Sequence, residues 1–81
     1  MKQSEYNRFR ELCSNIETAL ADAYPDETPA VYEFAVNPDT YEVKVIDGFD
    51  ETPDGWMYES IVDAEYPTIE ECAKQYFDFR Q

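Results

Sequence analysis

The chain has 81 residues, of which 19 are Asp or Glu, six are Lys or Arg and none is His, for a formal net charge of −13. That charge lies beyond the roughly 2–8 units of an ordinary small domain. It excludes phosphate-neutralising contact with nucleic acid or with an anionic membrane surface and favours basic protein surfaces and cations.

Seven Tyr, five Phe and one Trp argue against an acidic disordered tail and supply a core for one domain over 1–81. The stretch Met1-Lys2-Gln3-Ser4-Glu5-Tyr6-Asn7-Arg8 has no apolar run of signal-peptide type. No segment approaches the roughly 20 apolar residues of a spanning helix, so the expected compartment is the cytoplasm.

Tyr6, Phe9, Cys13, Ile16, Leu20 and Ala23 recur at helical spacing, widened by Leu12 and Ala19. They predict a helix over 5–24 with Ser4 as N-cap, ended by Pro25. After a linker at 25–29, Ala30 to Val36 and Tyr41 to Ile46 alternate as strands around the turn Asn37-Pro38-Asp39-Thr40. Pairing Phe34 with Val43, Tyr32 with Val45 and Val36 with Tyr41 makes one apolar face and sets Glu33 opposite Lys44.

Asp47 to Gly55 reads as a long acidic loop and Trp56 to Val62 as a third strand. Keeping Glu59 out of the core sends Trp56, Tyr58 and Val62 inward. Thr68 to Glu71 has capping-box spacing, and Ile69, Cys72, Ala73, Tyr76, Phe77 and Phe79 form the stripe of a second helix over 69–79. The expected fold is therefore α+β, an αβββα two-layer sandwich. A three-stranded antiparallel meander carries both helices on one face, leaving the other face open.

The candidate chemistry is sparse. Without His, no Cys–His or Ser–His pair exists. Cys13 and Cys72 lie on apolar helix faces and read as buried reduced thiols. Carboxylates are too numerous for any one pair to stand out as an acid–base couple. The expectation is a protein that is not an enzyme and needs no cofactor or metal.

The leading functional reading is an acidic binding protein that engages a basic protein surface, its partner being of nucleic-acid-binding type and its sharpest form a DNA mimic. In acidity and predicted topology the chain is similar in kind to small inhibitors, carried by phages and mobile elements, that occupy the nucleic-acid sites of defence nucleases. The candidate contact residues are Glu33, Glu42, Asp47, Asp50, Glu51, Asp54 and Glu59. One alternative is a homodimer or docking module using an apolar patch of Val31, Ile46, Met57 and Ile61 on the open sheet face. Another is calcium binding by the carboxylates of the 47–54 loop, which lacks the EF-hand pattern.

Overall fold

The computed structural model describes residues 3–77. The fold is α+β: α1 (Gln3–Ala23), β1 (Tyr32–Val36), β2 (Val43–Val45), a single 3-10 turn (Phe49–Glu51), β3 (Met57–Ile61) and α2 (Tyr66–Lys74). Phe79, expected on the second helical stripe, lies outside the described residues.

The α1 stripe buries Phe9, Leu12, Cys13, Ile16 and Leu20 as the periodicity predicts. Ser4 lies inside this helix, not at its cap. The second helix starts earlier than its capping-box spacing suggests, with Glu65 at the N-cap and Pro67 in the first turn. Proline is tolerated there because the first-turn N–H groups have no partner within the helix. Beyond Lys74 the chain tightens, with Tyr76 N–H on the Ala73 carbonyl and Phe77 N–H on that of Lys74, both at 3.1 Å.

The strands form one antiparallel sheet in the order β2-β1-β3, so β1 is central and the expected meander is corrected. Both neighbours run antiparallel to β1, so the chain must return along the sheet between β2 and β3. The long 46–56 segment makes that return.

The hairpin register differs from expectation by two residues: Phe34 pairs with Val45, Ala35 with Lys44 and Val36 with Val43. A two-residue loop at Pro38-Asp39 would need a primed turn, and proline cannot adopt its positive φ. The chain instead spends 38–41 on the loop, with Tyr41 N–H bonding the Asn37 carbonyl at 2.8 Å and Asn37 N–H that of Glu42 at 2.9 Å. The Asn37 carboxamide oxygen accepts the N–H groups of Asp39 and Thr40. A shift of two preserves the alternation, so Phe34, Val36, Val43 and Val45 still share a face. Glu33 does not meet Lys44; its carbonyl accepts Ile46 N–H at 3.3 Å.

The third strand faces opposite to the expected way. Pairing of Tyr32 with Ile61, Phe34 with Glu59 and Val36 with Met57 puts those β3 residues on the helix side. Ile61 joins the core with Tyr32, Phe34 and Val36 of β1 and with Ile69, Cys72 and Ala73 of α2. Trp56 and Tyr58 are half-buried and Val62 is 72 % exposed. Burying a Leu, Ile or Phe side chain contributes about 1.5–3 kcal/mol, and Leu12, Ile16, Phe34 and Ile69 are fully buried here.

Nor is the second sheet face open. Ala35 is fully buried there and Ile46 nearly so, while the Phe49 ring meets Tyr58 edge-on at 5.5 Å. The 46–56 segment thus forms a third layer over this face.

Candidate partner-binding surface

Two surfaces carry candidate contact carboxylates. The first is the loop over the sheet. Gly48 and Gly55 bracket it at φ 104° and 83°, backbone geometry that L side chains rarely adopt. Between them Glu51 N–H bonds the Gly48 carbonyl at 3.1 Å and Thr52 N–H that of Phe49 at 3.0 Å. Trp56 N–H closes a second turn on Pro53 at 3.1 Å. These turns hold Asp47, Asp50, Glu51 and Asp54 outward, all exposed.

Glu42 is also exposed, lining a groove with Asn15, Thr18 and Ala19 of α1. Glu33 lies on the sheet face under the loop but is half-buried and engaged: the Tyr58 hydroxyl donates to its Oε2 at 2.8 Å. That bond raises the Tyr58 phenol above its ordinary pKa. Among the described residues no three His, Cys, Asp or Glu side chains converge into a group able to hold a metal ion.

The second surface is a groove of about 390 Å³ between β3 and α2, lined by Glu59, Ser60, Asp63, Glu71 and Gln75 among others. Glu59, expected beside Glu33, faces α2 instead. Its Oε1 accepts the Tyr76 hydroxyl at 2.8 Å and its Oε2 accepts Gln75 Nε2 at 2.6 Å. The Cys72 thiol donates to Oε2 at 3.6 Å. These donors offset the cost of drawing a carboxylate toward the core, which is why Ile61 can take the inward position.

Burial, reinforced by Glu59, pushes the Cys72 thiol up to about 12. A thiol held protonated is a donor and not a nucleophile, so this cluster positions α2 on β3. Burial and the Glu59 bond also raise the Tyr76 phenol, and burial raises Cys13. Both cysteines are free thiols. The pattern Cys72, Gln75, Tyr76, running from α2 into the turn after it, offered a sequence signal for this cluster: donors at helical spacing able to receive a strand carboxylate.

The apolar patch does not assemble. Ile46 and Ile61 are buried on opposite faces of the sheet. Val31 and Met57 are 46 % and 45 % exposed, but Met57 pairs at the far end of β1 from Val31. No helix among the described residues is long and apolar enough to cross a membrane. No known protein family, no curated protein and no solved structure matches this chain.

Proposed function

We propose that this chain is an acidic, non-catalytic binding protein that engages a basic surface on a protein partner, competing there with nucleic acid. The observation that carries the reading is the loop itself. Asp47, Asp50, Glu51 and Asp54 are all exposed and held outward by two backbone turns over one sheet face. The longest dimension, 38 Å, would carry about 22 phosphates in a duplex at one charge per 1.7 Å. The chain's 19 carboxylates are a comparable number. A cytoplasmic setting accords with two buried cysteines kept as free thiols.

The test is partner capture at about 50 mM salt, followed by competition with short duplex DNA and a wash at about 200 mM. Polyelectrolyte contact predicts loss of the partner to both. Asp50→Lys with Glu51→Lys should slow association, since exposed charges act chiefly on the encounter rate. A partner that stays bound through high salt and ignores DNA overturns the reading.

A further inference from the structure

Among the described residues the sheet ends in β3, whose outer side pairs with no strand. On the β2 side of β1, the Glu33 carbonyl accepts Ile46 N–H and Asn37 N–H reaches the Glu42 carbonyl. In an antiparallel ladder each residue directs both backbone groups to one side. Tyr32, Phe34 and Val36 therefore bond β3, through Ile61, Glu59 and Met57. It follows that Tyr58 and Ser60 turn their N–H and C=O groups outward, along the free edge beside the α2 groove. Such an edge is a template for another strand.

The two sides of that edge differ in chemistry. The helix side presents Glu59, with Asp63 and Glu71 lining the groove and no Lys or Arg among the lining residues. The loop side presents Tyr58, Ser60 and the exposed Val62. An added strand would direct alternate side chains to these two sides. A second copy of this chain is a poor occupant, because each copy carries −13 and would set carboxylates against carboxylates.

We propose that the β3 edge and α2 groove take an extended segment of a partner protein as a fourth strand. Lys or Arg at every second position meets Glu59, Asp63 and Glu71, and β-branched residues between them meet Tyr58 and Val62. The proposal rests on the reading of a basic partner and specifies where and in what conformation part of that partner binds.

The test uses the full chain and a capped synthetic peptide, Thr-Lys-Val-Arg-Val-Lys-Val-Thr. Two controls have the same charge: a scrambled order, and a version N-methylated at alternate backbone nitrogens. Expected are slowed hydrogen exchange at the Tyr58 and Ser60 amides and a loss of about tenfold or more in affinity on N-methylation. Ser60→Pro should weaken the parent peptide similarly, because its outward N–H is not part of the β1 ladder. Glu71→Lys should weaken it severalfold.

Equal binding of the parent and N-methylated peptides overturns the edge proposal, and so does mapping of the contact to Asp47–Asp54. Neither result touches the basic-partner reading, which falls only if partner capture is indifferent to salt and DNA. The N-methylated peptide keeps the proposal falsifiable if Ser60→Pro fails to fold.

Discussion

The Tyr76 hydroxyl donates to Glu59 Oε1 across 2.8 Å and ties the turn after α2 to the middle of an edge strand. The bond is charge-assisted and half-buried, so it is worth more than a surface contact. Tyr76→Phe leaves the carboxylate with fewer donors and should destabilise by about 1.5–3 kcal/mol. In a domain this size each kcal/mol lowers Tm by about 4–8 °C. Combining Tyr76→Phe with Glu59→Leu removes the charge as well and should recover most of the loss. Chemical denaturation of the two variants checks this, and an unchanged midpoint in Tyr76→Phe refutes it.

The same cluster sets an alkaline limit. The Cys72 thiol rises from an ordinary 9.0 to about 12, and Tyr76 rises above its ordinary 10.0. The fold favours the protonated form of each, so the unfolded chain loses these protons first. Their stabilisation is complete below about pH 9 and is lost as pH climbs from there toward 12. Melts between pH 7 and 11 should show a falling Tm above 9. Cys72→Ala should make the fall above pH 9 shallower, leaving the smaller share carried by buried Cys13 and the tyrosines. If wild type and Cys72→Ala fall in parallel, the thiol contributes nothing.

Tyr41 is the single non-glycine residue among those described with positive φ, at 62°. Three contacts hold it there: Asn15 Nδ2 donates to its carbonyl at 2.7 Å, its ring lies 5.2 Å from that of Phe77, and the Arg8 guanidinium sits 4.7 Å above it. Tyr41→Gly would relieve the backbone but remove a buried aromatic ring. The ring dominates, because aromatic truncations in a core cost about 3–5 kcal/mol while the left-handed geometry costs about 1–2. Tyr41→Gly should therefore destabilise, and Asn15→Ala should cost about 1 kcal/mol. A Tyr41→Gly protein as stable as wild type would reverse that ranking.

Local features were legible in the sequence and non-local ones were not. The α1 stripe and the apolar face of β1 follow from periodicity, a property of neighbouring residues. The hairpin's two-residue shift was hidden because either register keeps the same faces, and only the twist demanded of a short turn separates them. The direction of β3 turned on Glu59. Rejecting it from the core is sound for an isolated carboxylate, but Cys72 of α2 and Gln75 and Tyr76 of the turn after it supply its donors from a distant segment. Ile61 then takes the inward position, and Tyr58 finds cover from Phe49 of the loop and from Glu33. Asp47, Asp50, Glu51 and Asp54 were legible as an exposed acidic surface because turn residues flank them. That the loop closes over Ala35 follows from the strand order, which no local pattern encodes.

The uncompensated charge links stability to binding. Like charges on a small domain repel, and salt screens them over about 10 Å at 0.1 M. Tm near neutral pH should therefore rise from low to moderate salt, and a steady fall would mean that attractive pairs such as Lys74–Glu70, at 3.5 Å, dominate. Asp47, Asp50, Glu51 and Asp54 are exposed and make no contact that their loss would break on the sheet side. Replacing Asp50 and Asp54 with Asn should thus raise Tm at low salt and leave it nearly unchanged at high salt. If those carboxylates serve a partner, the same variant should bind it more weakly, the trade-off expected when residues are kept for function at a cost in stability. Melts and partner capture on one preparation test both halves. A variant that gains stability and binds as before would show that the loop charge serves something other than this partner.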